Sequence, residues 1–140
     1  MFDEGQQLSL IDLINKKQLL LKNIKEEKWK DLSEITISNS EFYIMSKVYN
    51  NKPFISHVAK QVHFSRQATH KFIRQLEEKG LAETKQANLR DKYIELTELG
   101  EKCYEKQEAL KMEIEKMIAK QIGKDNVNKL KEILTMDWGL

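Results

Sequence analysis

Proline and glycine are scarce in this chain: of its 140 residues one is proline, Pro53, and five are glycine. A β-sandwich or barrel needs turn residues every few positions, so the scarcity argues against both and favours a helix-rich domain. Cysteine is limited to Cys103, which excludes an intramolecular disulfide and a multi-cysteine zinc site and agrees with a reducing, cytoplasmic compartment. Long apolar runs are missing too. The longest aliphatic cluster near the N-terminus, Leu19-Leu20-Leu21, is far short of the ~20 apolar residues of a membrane span. The acidic start Met1-Phe2-Asp3-Glu4 lacks the positive opening of a signal peptide, so neither a leader nor a membrane partner is expected. Neither sign of charge dominates: 24 Lys+Arg stand against 22 Asp+Glu, a net charge of +2. A uniformly basic nucleic-acid tail is thereby excluded, and any basic surface must be local. No fixed-period repeat or low-complexity stretch is present.

What is present reads as helix after helix. The length suits one domain with a core of its own. From about Gln6 to Lys30, Leu10, Ile14, Leu21 and Ile24 recur at helical spacing, and Leu13 and Leu20 widen the stripe. A β-branched, polar connector follows at Ile35–Ser40, with Ser38 or Ser40 as the cap of a compact helix from Glu41 to Tyr49. Asn50-Asn51-Lys52-Pro53 reads as a turn, and a second short helix is predicted from about Phe54 to His63 with Val58, Ala59 and Val62 inward. His63-Phe64-Ser65 is a very short connection. Ser65 caps a third helix that runs to Lys79 and stops at Gly80. The period then changes: Leu81–Gln86 and Lys92–Leu96 have strand character and flank a polar tip, Ala87–Asp91. Thr97 caps a long helix to about Ile122, with Leu99, Cys103, Leu110, Ile114 and Met117 on one stripe. Beyond Gly123-Lys124-Asp125 a last amphipathic helix carries Val127, Leu130, Ile133 and Leu134, followed by Met136 and Trp138.

Two closely linked helices in this order are a helix-turn-helix, whose second member enters the DNA major groove. On the third helix Thr69, Phe72, Ile73 and Leu76 share an inward face. Arg66, Gln67, His70, Lys71 and Arg74 share the other; all donate hydrogen bonds and none is acidic, while Glu77 and Glu78 are held back to the C-terminal end. Arg forks onto guanine and Gln pairs with adenine, so Arg66, Gln67 and His70 are the base-reading candidates. Lys71 and Arg74 suit phosphates, which fix register without reading sequence. Ser65, at the helix start, joins them as a DNA-facing candidate. From Phe54 to Lys92 eight basic residues (Lys60, Arg66, Lys71, Arg74, Lys79, Lys85, Arg90, Lys92) face four acids (Glu77, Glu78, Glu83, Asp91), the local footprint a nucleic-acid reading requires. A cationic helix face is ordinarily just solvated. The short turn before this helix, its acid-free face and the hairpin after it favour DNA.

The stretch Ile55 to Gly100 resembles the MarR-type winged-helix repressors. The matching elements are Val58-Ala59, Phe64-Ser65, Leu76-Glu77-Glu78-Lys79-Gly80-Leu81 and Leu96-Thr97-Glu98-Leu99-Gly100. The resemblance implies a mainly α fold with a small β-hairpin wing, a winged helix-turn-helix flanked by N- and C-terminal dimerisation helices. The segments would be 1–37 for the N-terminal dimerisation helix and connector, 38–98 for the DNA-binding domain and 99–140 for the C-terminal dimerisation helices. It further implies a homodimeric repressor on double-stranded DNA, with recognition helices in adjacent major grooves and wing tips in minor grooves. The family's Asp-x-Arg wing signature falls on Asn88-Leu89-Arg90, so Arg90 inherits the minor-groove role, Asn88 replaces the acid, and Asp91 is an alternative partner for Arg90. The hairpin looks a couple of residues shorter than usual. A small-molecule effector between the dimerisation helices and the winged domain is implied as well. Trp29, Phe42, Tyr43 and Tyr49 could line such a cavity, although their helical spacing reads as core.

The dimer has a basis in the residues themselves. Leu13, Ile14, Leu21, Ile24, Ile114, Met117, Ile118, Leu130, Ile133, Leu134 and Trp138 are more apolar surface than a winged domain of ~60 residues covers alone. No metal or other cofactor is expected: His57, His63 and His70 are six and seven apart, not the four of a helical ligand pair. Cys103 reads as a buried structural thiol. No nucleophile with its base and no phosphate loop is visible, so an enzyme is not expected. The competing reading is a winged-helix interaction module that regulates a partner protein without specific DNA binding.

Overall fold

The computed structural model describes residues 7–140. Gln6, the predicted start of the first helix, and the acidic Met1–Glu4 lie outside them. The chain divides into two compact units, one ending at Glu34 and one spanning Ile35–Leu140. The first unit contains helix α1, Leu10–Leu32, which begins where Ser9 Oγ accepts the Asp12 N–H at 3.1 Å. Trp29 is its buried residue, while Leu10, Leu13, Ile14, Leu20 and Leu21 of the predicted stripe are exposed.

The second unit runs α2 (Asn39–Val48), α3 (Ile55–Gln61), α4 (Arg66–Glu78), β1 (Ala82–Gln86), β2 (Lys92–Leu96), α5 (Glu98–Ile122) and α6 (Lys124–Thr135). Its core is built from Ile44, Met45 and Val48 of α2, Val58 of α3, Leu76 of α4, and Leu81 and Ile94 of the hairpin, all fully buried. Ser38 is the cap of α2, in a capping box. Its Oγ accepts the Glu41 N–H at 3.1 Å and its own N–H donates to Glu41 Oε1 at 2.9 Å. Glu41 is buried, and the Lys79 ammonium at the end of α4 answers it. Lys79 Nζ lies 2.7 and 2.8 Å from the two carboxylate oxygens and 2.7 Å from the Thr36 carbonyl.

The predicted start of the second short helix is corrected. Phe54 is extended and bridges Tyr93, and the Ile94 N–H donates to the Pro53 carbonyl at 3.0 Å. Pro53-Phe54 thus adds a third strand of a single rung beside β2, and helix begins only at Ile55. A proline can sit at this edge because the ladder asks it only for an acceptor. The helix also stops at Gln61, earlier than predicted, and Ala59 is only half-buried.

β1 and β2 pair antiparallel from Ala82↔Leu96 to Gln86↔Lys92. The junctions at their base are tightly tied. Gly80, at φ +74°, ends α4, and the Leu81 N–H reaches back to the Leu76 carbonyl at 2.9 Å. Thr97 Oγ1 accepts the Gly100 N–H at 3.0 Å, donates to the Gly80 carbonyl at 2.6 Å, and the Thr97 N–H donates to the Leu81 carbonyl at 3.0 Å. Gly100 packs against that same carbonyl: a Cβ there would stand 1.9 Å from the Leu81 oxygen. This contact sets the rotation of α5. Its buried stripe is Gly100, Cys103, Gln107, Leu110 and Ile114, and the predicted members Leu99 and Met117 are 44% and 50% exposed. On α6 only Val127 is buried; Leu130, Ile133 and Leu134 are exposed. No helix among the described residues is long and apolar enough to cross a membrane.

Candidate nucleic-acid interface

The interface starts from the cap of α4. Ser65 Oγ accepts the Ala68 N–H at 3.0 Å, and its carbonyl takes both the N–H and the hydroxyl of Thr69, at 2.9 and 3.0 Å. The buried Thr69 is thereby satisfied and the helix leaves the turn in a fixed direction. Thr69, Ile73 and Leu76 are buried as the spacing predicts, and Phe72 is half-buried. Phe72 meets Phe64 of the turn at 5.3 Å between ring centroids, and Phe64 meets Tyr43 of α2 edge-on at 5.8 Å. These rings close the short helix-helix turn. Ser65, Arg66, Gln67, His70, Lys71 and Arg74 are all exposed.

The wing tip is organised by Asn88. Its Oδ1 accepts the N–H groups of Arg90 and Asp91, both at 2.9 Å, and its Nδ2 donates to the Asp91 carboxylate at 3.2 Å. The Asp91 carbonyl closes the loop by accepting the Ala87 N–H at 2.9 Å. This corrects the expected pairing of Asp91 with Arg90: the Asp91 carboxylate bonds Asn88, and Arg90 forms no ion pair among the described residues. Asn88 is therefore a turn-former that fixes the backbone under Arg90, whose side chain is exposed.

Between α3, the start of α4 and the wing lies an open cleft of about 490 Å³, lined by Lys60, Arg66, His70, Arg90, Asp91 and Lys92. Ile55, Ser56 and Ala59 of α3 complete its wall. The structure thus brings Arg66 and His70 together with Arg90 of the wing. It adds Lys60 and Lys92, which in the sequence are only members of the basic count. Gln67, Lys71 and Arg74 stand elsewhere on the exposed face of α4, and Asn88 stays within the tip.

Charge is sorted in the same direction. Of the eight basic residues between Phe54 and Lys92, Lys79 is taken by Glu41, and Lys85 by Glu95 at 2.8 Å. Lys85, with Lys52 at 3.2 Å, holds the Glu95 carboxyl below the usual carboxylate range, and Glu95 in turn raises the Lys85 ammonium. The other six, Lys60, Arg66, Lys71, Arg74, Arg90 and Lys92, form no ion pair among the described residues. They all lie on α3, α4 and the tip side of the wing. Glu77 is occupied by the Thr84 hydroxyl at 3.0 Å, a tether from α4 to β1.

The remaining candidates of the sequence fall away from this surface. His57 lies against the Phe54 ring, and His57 and His63 are exposed. Among the described residues no three His, Cys, Asp or Glu side chains are grouped to hold a metal ion. Phe42 is buried, and Tyr49 stacks on Tyr104 at 4.7 Å and donates to Glu105 at 2.5 Å.

No family model matches this chain, and no curated relative matches it in sequence. Solved structures do match its fold. A Staphylococcus aureus MepR–DNA complex superposes with a TM-score of 0.76 at 20% identity, covering 92% of this chain and 95% of that one. MepR, a transcription regulator of the S. aureus multidrug efflux pump MepA, gives 0.72 at 21% identity over 91% and 95%. The transcriptional regulator SlyA gives 0.72 at 19% identity over 91% and 89%. The chain has the winged-helix fold of the MarR-type regulators: helices with an antiparallel two-stranded wing.

Proposed function

We propose that this chain is a MarR-type, sequence-specific regulator of transcription, a repressor that binds double-stranded DNA in the cytoplasm as a homodimer. One observation carries the reading. The exposed, acid-free face of α4 continues across the cleft into Arg90 of the wing as cations with no acidic partner among the described residues. A helix in a major groove and a wing tip in the adjacent minor groove need that layout. Arg66 and Gln67, in the first turn of α4, reach base edges. Ser65, Lys71 and Arg74 meet phosphates, and Asn88 presents Arg90 to the minor groove. The likeness to a DNA-bound MepR supports the same docking.

The homodimer is supported by apolar surface that a single chain leaves open: Leu10, Leu13 and Leu20 on α1, and Leu130, Ile133 and Leu134 on α6. Residues 1–37 and 99–140 are accordingly the dimerisation segments, and 38–98 reads DNA. Two-fold symmetry sets half-sites about one helical turn apart on a pseudo-palindrome. A small effector bound beside the dimerisation helices would change the spacing of the two recognition helices and so tune affinity. Selection of bound duplexes from a random pool tests the reading. The expected result is a pseudo-palindromic consensus whose affinity falls steeply with salt. A chain that enriches no sequence and shows no salt-dependent binding overturns it in favour of a protein partner.

A further inference from the structure

We propose that the cleft between α3, α4 and the wing seats a phosphate of the DNA strand, and that His70 holds this phosphate as an imidazolium, so that binding takes up a proton. The inference rests on the DNA reading above, and it moves His70 from reading a base to gripping the backbone.

A helix in the major groove and a wing in the neighbouring minor groove are separated by one phosphodiester strand, and the cleft is the space between these two elements. His70 lies one helical turn after Arg66, and both side chains line the cleft, whereas Gln67, Lys71 and Arg74 do not. The groups that share the cleft with His70 are Lys60 from α3, Arg66 from α4, and Arg90 and Lys92 from the wing. The acid in the cleft wall is Asp91, whose carboxylate already accepts from Asn88 at 3.2 Å. Further along α4, Arg74 is exposed and Glu77 accepts the Thr84 hydroxyl at 3.0 Å. The cleft is thus a concave cationic site in which Lys60, Lys92, the hydroxyl of Ser56 and the imidazole make the donor set of a phosphate site, while Arg66 and Arg90 extend past it to the bases and the minor groove.

A phosphate oxygen beside an imidazole favours its charged form, and the imidazolium then offers both ring N–H groups as donors. Imidazole is the side chain whose ordinary titration, at ~6.5, falls near neutrality, whereas ammonium and guanidinium groups ordinarily stay charged there. Contact with phosphate raises the titration midpoint of the bound state above that of the free protein. The extra affinity is therefore present in full below the free-state midpoint and is lost as pH rises through the bound-state midpoint. Because the contact is to backbone, it acts alike on every sequence.

The full-length protein tests this. Its Kd is measured at constant ionic strength at about pH 6 and about pH 8 for a selected duplex and a random duplex, with His70→Gln and, as a control, His57→Gln. The expected result is wild-type binding tighter at the lower pH on both duplexes by about five- to tenfold per engaged protomer, the scale of a one-unit shift in midpoint, and by the square of that factor for a dimer seated on both half-sites. His57→Gln keeps that ratio, and His70→Gln brings it close to one. As a readout independent of any variant, the His70 ring-proton resonances titrate at higher pH in the duplex complex than in the free protein. A pH effect confined to the selected duplex would mean that His70 reads a base and overturns the proposal. So does an effect that survives His70→Gln, or an unmoved His70 titration. Binding of neither duplex in a salt-dependent way, at either pH, overturns the DNA reading itself and this proposal with it.

Discussion

Arg66 and Lys71 are both exposed cations on α4, and they differ in where they stand. Arg66 is the first residue of the helix, directly after its cap, where a side chain reaches base edges; Lys71 lies more than a turn later. Arg66→Ala is expected to cost about 1–3 kcal/mol on a selected site and to relax preference at one base pair. Lys71→Ala is expected to weaken selected and random duplexes alike and to reduce the salt slope by about one. Binding titrations over a salt series on both duplexes separate the two, and identical behaviour of the variants would show the assigned roles to be wrong. Residue chemistry of this kind is legible in a sequence because it depends on which side chain sits on which face of one helix. Asn88 shows the limit. Its place in the wing signature, two residues before Arg90, put it among the DNA-facing candidates but left unread the bonds its side chain makes inside the tip, to the backbone N–H groups of Arg90 and Asp91 and to the Asp91 carboxylate.

Among the elements, the junction between the hairpin and α5 is the least forgiving. Gly100 touches the Leu81 carbonyl, and that carbonyl cannot retreat because it accepts the Thr97 N–H. Gly100→Ala should cost about 3 kcal/mol, the upper end of ordinary overpacking. That is a fall of about 10 °C in melting temperature for a chain of this size, followed by calorimetry. An unchanged melting temperature would mean that α5 can swing away. The wing itself carries a pH-dependent contribution. Glu95 is held below the usual carboxylate range by Lys85 and then Lys52, so its contribution is present above that range and lost as pH falls through the depressed value. The melting temperature of Glu95→Gln should therefore lie below wild type near neutrality and converge on it in acid. A gap that widens on acidification would contradict the assignment. The caps at Ser38, Ser65 and Thr97 were legible as local hydrogen-bonding patterns, whereas the Phe54–Tyr93 bridge was not, since a strand of one rung has no period to detect.

For the whole molecule, the question is what covers the apolar residues of the terminal helices. Leu134 of α6 is 56% exposed, so changing it disturbs little within its own chain. Leu134→Glu should convert a two-chain species to one chain in sedimentation. Affinity for a pseudo-palindrome should fall on the order of a hundredfold as the second half-site is lost. A variant that still sediments as two chains would place the dimer contact elsewhere. The stripes on α1 and α6 were read correctly as apolar, but their period is the same for a core and for an interface. Only the fold, which buries Trp29 and Val127 and leaves most of the other apolar residues of these two helices open, distinguishes the two within a single chain.

By itself the sequence determined the helices, their caps, the hairpin and the acid-free face of α4, because each is written within a few residues by period, capping chemistry and turn propensity. Tertiary structure alone decided the rest. It sent Lys79 to the buried Glu41, left six of the eight cations between Phe54 and Lys92 without an ion pair among the described residues, rotated α5 onto Gly100, and folded Lys60, Arg66, His70, Arg90 and Lys92 around one cleft. Those outcomes depend on residues far apart in the chain meeting in space, and no local pattern encodes a distance between three separate elements.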